Sequence, residues 1–260
     1  MFDALYVGAT GLYAQQTHID TVANNLANMH TTGFKKSRIN FEDLMYRELS
    51  AQYLTQDGIS HAVRSGSGTQ VASSSKLFTQ GELIQSESPY DLAINGEGFF
   101  PVLMNDGSSA YTRTGSLRVN AEGLLGLSNG LALHPPVSIP PESKELVIDR
   151  SGKVFVVLEG ETSPTEVGQI ELALFTSPAG LKPVGDNLYI ATEQSGDAQL
   201  GNASEEGRGI LAQKFLEGSN VRMVDELVNL MLAQRAFEAN SKVVQASDEI
   251  LGMINGLRRG

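Results

Sequence analysis

Residues 1–28 read MFDALYVGATGLYAQQTHIDTVANNLAN, and their spacing decides the fold. Met1, Leu5, Gly8, Leu12, Gln15, Ile19, Val22 and Leu26 recur at alternating intervals of four and three residues. The far end of the chain repeats the rhythm with Leu232, Ala236, Ala239, Val243, Ala246, Ile250, Met253 and Leu257. Such a repeat draws a narrow apolar stripe along a helix, suited to a coiled-coil partner. Helices at opposite ends of a chain can pair with each other, making a stem beside a separate body, or with neighbouring copies, making a polymer. The plainer reading is an amphipathic helix docked on an ordinary core. Gln15 interrupts the first stripe and the second is rich in Ala, which suits that reading.

Working outward, the first helix is expected over residues 2–28 and ends at His30-Thr31-Thr32-Gly33, where Gly33 can take the left-handed geometry of a helix end. Residues 41–54 read as a short helix or an extended arm, and 65–75 (SGSGTQVASSS) as a linker or exposed extended segment. From about residue 76 to 192 the period falls to two. FFPVLM (99–104) and SAYTRTGSLRV (109–119) flank Asn105-Asp106-Gly107, and ELVID (145–149) and KVFVVL (153–158) flank Arg150-Ser151-Gly152, which predicts hairpins. QIELALF (169–175) and NLYIA (187–191) are further strands, and prolines 135, 136, 140 and 141 confine their stretch to loop or edge. Residues 193–209 are polar and Gly-rich. The last helix is expected over 221–257, with Ser219 or Asn220 as its cap and Asp225 and Glu226 near its first turn.

The expected fold is therefore α+β: a discontinuous helical coiled-coil domain from both termini, with an inserted, mainly antiparallel β domain. Its boundaries are residues 1–40 and 213–260 for the terminal domain, 41–75 for a connecting arm, and 76–212 for the β body.

Composition bounds the chemistry. With no Cys, disulfides, thiol nucleophiles and Cys-ligated zinc are excluded. The net charge of −11 argues against nucleic acid as a partner. That charge is uneven: residues 1–40 carry +1, residues 221–260 are neutral, and the middle carries −12. Near-neutral ends can pack against copies of themselves, while an acidic middle suits a solvated surface. No run of 18 apolar residues exists, so membrane insertion is not expected. The start has no basic segment and an acid at Asp3, so composition suggests the cytoplasm, or export that leaves the N-terminus uncleaved.

Catalytic patterns fail on inspection. Gly126-Leu127-Ser128-Asn129-Gly130 matches a nucleophile elbow, but LALHPP follows it, which cannot be helix, and the only downstream His is His134. Gly96-Glu97-Gly98 lacks a third Gly, since Pro101 stands in its place. The histidines at 18, 30, 61 and 134 have no metal-binding helical spacing. No catalytic residue, cofactor or metal is expected. A serine hydrolase using Ser128 and a stand-alone soluble binding domain are the readings from other classes.

The most specific segments are VANNLAN (22–28) and TGFKK (32–36). Asn24, Asn25 and Asn28 are poor helix formers beside an apolar stripe, and their amides can fix a register where plain hydrophobes would slide. Others follow in order: QGEL (80–83), DLAINGEGFF (91–100), YTRTGS (111–116), LEGSNV (216–221), ELVNLM (226–231) and QRAFEANSK (234–242). This ordered set resembles the flagellar axial family of rod, hook and hook-associated proteins, over nearly the whole chain. Length and segment order are similar to its distal rod branch, including an extra stretch, about residues 47–64, after FEDLMY (41–46). That stretch has no Pro where a Pro- and Gln-rich one is expected, which leaves a proximal rod or hook subunit as alternatives.

The resemblance implies a structural, self-assembling subunit of a tubular drive shaft. It implies passage through the flagellar type III export apparatus, residence in the basal body across the periplasm, and contact with copies of itself, proximal rod proteins, the hook protein and the P and L bushing rings. The residues expected to carry assembly are Leu5, Leu12, Ile19, Asn24, Asn25, Leu26, Asn28, Leu232, Ala236, Ala239, Val243, Ile250 and Leu257. Arg47, Tyr53, Leu54, Ile59 and Arg64 are expected to stiffen the shaft.

Overall fold

A computed structural model describes residues 2–44, 47–49, 63–159 and 163–257. The architecture is α+β, with a helix at each end of the chain and many short, mostly antiparallel strands between them. The chain divides into two compact units, one drawn from residues 1–26, 37–75 and 222–260, the other from 27–36 and 76–221.

The first unit holds the long helices, α1 (Phe2–Ala27) and α2 (Met223–Leu257). Gly33, which ends the α1 segment, has φ +71°, the left-handed geometry its position requires. The start of α2 differs from expectation. Neither Ser219 nor Asn220 caps it; the Arg222 carbonyl accepts the first helical bond, from Glu226 N–H. Asn220 is unavailable because its amide is spent elsewhere: it donates to Leu77 O and Thr79 O and accepts from Lys36 N–H. Asp225 and Glu226 do lie in the first turn. The stretch 41–54, read as helix or arm, begins as strand. Ser37–Asp43 pairs with Thr69–Lys76, and Arg47–Leu49 with Val63–Ser65. The stretch 65–75, read as a linker or an exposed extended segment, is extended and supplies one side of a two-stranded ribbon. Its small polar residues are exposed or half-buried and carry no apolar alternation to announce a strand.

The second unit is the β body. Phe100–Leu103 and Ser109–Thr112 form the expected hairpin, as do Ser143–Ile148 and Lys153–Leu158. Lys182–Gly185 and Leu188–Ile190 turn through Asp186 and Asn187, both at positive φ, the two-residue turn that matches strand twist. The body does not stop where the alternation fades. Within polar 193–209 the edge strand Gln199–Asn202 pairs with Glu171–Leu174. Beyond it, Ile210–Gln213 pairs with Leu92–Asn95 and Phe215–Glu217 with Leu83–Gln85. The last strands of the body are thereby stitched to its first.

The largest core cluster gathers the fully hidden Leu92, Ile94, Phe100, Val102, Leu125, Val154 and Leu172 with their buried neighbours. A second holds Phe99, Tyr111, Phe175 and Tyr189, whose rings meet edge to face; Tyr111 and Phe175 lie 4.8 Å apart. Burial pushes the Tyr189 phenol up to about 12.

Candidate functional site

The helical unit is built on close contact. A Cβ at Gly8 would lie 2.7 Å from Val244 Cγ2, and one at Gly11 would lie 2.8 Å from Asn240 Nδ2. The two backbones can approach at those points only because no side chain intervenes. Farther along, Asn25 Nδ2 donates to Glu226 Oε2 at 3.2 Å. These three contacts run in opposite directions along the two sequences, so α1 and α2 are antiparallel.

Asn25 does more. It is 1% exposed, donates to Ser37 O at 2.9 Å and accepts from Ser37 N–H at 2.9 Å. One amide therefore ties α1, α2 and the first ribbon strand together. All three bonds are made within one chain. Asn28 accepts from the Thr31 hydroxyl at the helix end, and Asn24 faces outward.

On α1, Leu5, Leu12, Ile19 and Leu26 are half-buried. On α2 the side facing the rest of its unit is Glu226, Leu230, Ala233, Asn240, Val244, Ser247 and Leu251, all buried or half-buried. This keeps the four-and-three rhythm but sits one position along from the stripe read in the sequence, about 100° around the helix. The sequence stripe faces out: Leu232 is 59% and Val243 50% exposed, with Ala239, Ile250 and Leu257 also exposed and Ala236 half-buried. Of the ribbon residues, Arg47 lies opposite Ser65 and Glu48 opposite Arg64, while Tyr53, Leu54 and Ile59 lie outside the described residues.

The body holds a constellation that sequence reading missed. Glu217, fully buried, accepts from Lys35 Nζ at 2.6 Å through one carboxylate oxygen and from Arg113 Nη1 at 3.3 Å through the other. Gly81 N–H adds a bond at 2.9 Å, Lys35 Nζ also donates to Thr79 O at 2.8 Å, and Arg113 Nη2 to Gly96 O at 2.9 Å. Burial pushes the Lys35 ammonium below its ordinary pKa, an effect that Glu217 only partly opposes. The backbone closes around the same place, with Gly33 N–H donating to Glu217 O at 2.8 Å. Two cations share one carboxylate in a buried pocket, an arrangement that joins distant segments of the body. The signal was present, since Lys35, Gly81, Gly96, Arg113 and Glu217 all fall in the segments singled out above, but nothing in the spacing says they meet.

Ser128 has no catalytic company. It lies in a tight turn, with Gly130 N–H bonded to Leu127 O, and its hydroxyl donates to Ser116 O. Among the described residues no group of three or more His, Asp or Glu side chains could hold a metal ion, and no helix is long and apolar enough to cross a membrane.

Three family models match in order. Residues 5–35 match the flagella basal body rod protein model, 93–156 the flagellar hook protein FlgE/F/G D1 domain, and 212–257 the flagellar basal body rod FlgEFG protein C-terminal model. The flagellar basal-body rod protein FlgG of Caulobacter vibrioides is 40% identical over 98% of this chain and 99% of its own. The protein of that name from Borreliella burgdorferi is 41% identical over the full length of both. The chain belongs to the flagellar basal-body rod protein family. It is accordingly a structural protein and not an enzyme. The rod protein FlgF of Caulobacter vibrioides is also similar, at 37% identity over 98% of this chain. Each of the three matched segments contributes one charged residue to the buried cluster: Lys35, Arg113 and Glu217.

Proposed function

We propose that the chain is the repeating subunit of the distal flagellar rod, and that its terminal helices form the packed inner layer of a tube. The observation that carries this reading is the outward stripe on α2. Leu232, Val243 and Ile250 are exposed beside a body whose own core is fully closed. An apolar ladder of that length on an isolated subunit is a surface awaiting copies. Coiled-coil packing of the stripe against neighbouring helices would bury it, with Asn24 facing the same neighbours and Asn25 holding the pair in register. The ribbon 37–76 is then the arm between helical layer and outer wall, and residues 47–64 its stiffening element.

Membership of the family supports the rest of the reading. The subunit is exported unfolded by the flagellar type III apparatus. It assembles across the periplasm between proximal rod proteins and the hook, inside the P and L rings. The similarity to FlgF keeps a proximal position in the same shaft as the second reading.

The test is Val243→Asp or Ala239→Asp. Both positions are exposed, so the subunit should fold and be secreted normally. No rod should be recovered, because assembly would bury an unpaired carboxylate. Wild-type motility in either variant would overturn the assignment.

A further inference from the structure

The antiparallel pairing of the two helices has a definite offset. Gly8 faces Val244, Gly11 faces Asn240 and Asn25 faces Glu226, so facing positions sum to 251 or 252. Since α1 begins at Phe2, its partner ends near position 249, and residues 250–257 of α2 run on past it. This overhang is apolar and uncovered: Met253 is 62% and Leu257 85% exposed, with Ile250 and Ile254 open beside them. At the opposite end of α2 a second uncovered patch is formed by Val224, at 71%, with Leu227, Val228 and Met231.

The two patches match. Each spans eight residues with apolar side chains at the first, fourth, fifth and eighth, and the overhang lies 26 residues after the other patch. Charges match as well under the same offset. Asp248, just before the overhang, falls opposite Arg222, just before the receiving patch; the Arg222 side chain is 83% exposed and reaches Asp225 of its own helix at 3.6 Å, so it can take a second carboxylate. Residues 221–260 are neutral in sum, so two copies do not repel there.

We propose that α2 of one copy docks on α2 of a second copy head to tail, the overhang 250–257 lying parallel to residues 224–231 of its neighbour. This rests on the subunit reading above and names the contact within it. The occupant is another copy of this chain because the complement to each patch is the other patch. Joining unlike ends repeats without closing, so the contact grows a filament, whereas joining like ends would stop at a dimer. The step along the chain of copies is the 26-residue separation, about 39 Å of helix.

The chain has no native Cys, so introduced cysteines report alone. A full-length Val224→Cys/Ile250→Cys variant, allowed to assemble and then mildly oxidised, should give a ladder of covalent oligomers in the pelleted fraction. Each single variant should give none. A double variant that pellets like wild type without a ladder overturns the contact, as does self-linking of either single variant. Wild-type protein that never pellets would instead strike the subunit reading, and the contact with it. Ile254→Glu completes the test: its monomer should unfold as wild type does, while the pelleted fraction falls at least tenfold. An unchanged pellet would overturn the contact.

Discussion

The β body and the helical unit treat their apolar surface in opposite ways. In the body, Leu92, Ile94, Phe100, Val102 and Leu172 are wholly hidden, and buried Glu217 is paired with both Lys35 and Arg113. In the helical unit, α2 turns Glu226, Asn240 and Ser247 toward its own chain and Leu232, Val243 and Met253 toward solvent. Such a body hides its own apolar surface without outside help. A helix that mixes polar and apolar groups on its inner face and leaves hydrophobes on its outer face keeps apolar surface in reserve, which on the proposed reading other copies cover. Stability and assembly are therefore encoded on different residues, and substitutions should separate them.

The largest effect on the isolated subunit is expected from Glu217→Leu. It strands Lys35 and Arg113 in a buried pocket, at a cost of about 3–5 kcal/mol. The urea midpoint of the body should fall steeply, and adding Lys35→Met should recover part of the loss. A midpoint unmoved by Glu217→Leu would mean that the body does not rely on its charged cluster.

Asn25→Ala comes next, within the helical unit. It leaves the Ser37 N–H and carbonyl without their partner and removes a donor to Glu226, a loss of about 1–3 kcal/mol. Amide exchange should quicken at Ser37 and in α1 while the core strands of the body stay protected. Equal quickening in both units would erase the distinction between them.

A smaller effect is pH-dependent. Burial holds Lys35 below its ordinary 10.5 in the folded chain. Between that lowered value and 10.5 the unfolded chain binds more protons than the folded one, so stability rises with pH through this window. The increment is complete above 10.5 and lost as pH falls through the folded value. In Lys35→Met, unfolding followed across alkaline pH should show a flatter rise. Some slope should persist because Lys76 is lowered by burial too. The smallest effect is that of Ser128→Ala, an exposed turn position whose loss should leave both stability and motility as they were.

What the residues disclosed in advance depended on range. The helices and the hairpins at Asp106-Gly107 and Ser151-Gly152 were legible because period and turn chemistry are local. The phase of α2 was harder. Apolar residues lie on more than one of its faces, and the face turned to its own chain carries Asn240 and Ser247, so hydrophobic periodicity selects the outward stripe. The pairing of Ile210–Gln213 with Leu92–Asn95 and the meeting of Lys35 with Glu217 link residues more than a hundred positions apart. No window of sequence spans that distance. Asn25 lay between: its type and place marked it, but its partners Ser37 and Glu226 could be named only from the fold.

The backbone bond between Gly33 and Glu217 has one more consequence. The long excursion of chain between them starts and finishes at the same spot, as a drawer slides in and out of one opening. Loops within that excursion can be lengthened or trimmed while this closure holds, which is the condition under which insertions are tolerated. On the proposed reading, a lineage could thus refit those loops for a new enclosure while the sequence that builds the shaft stays as it was.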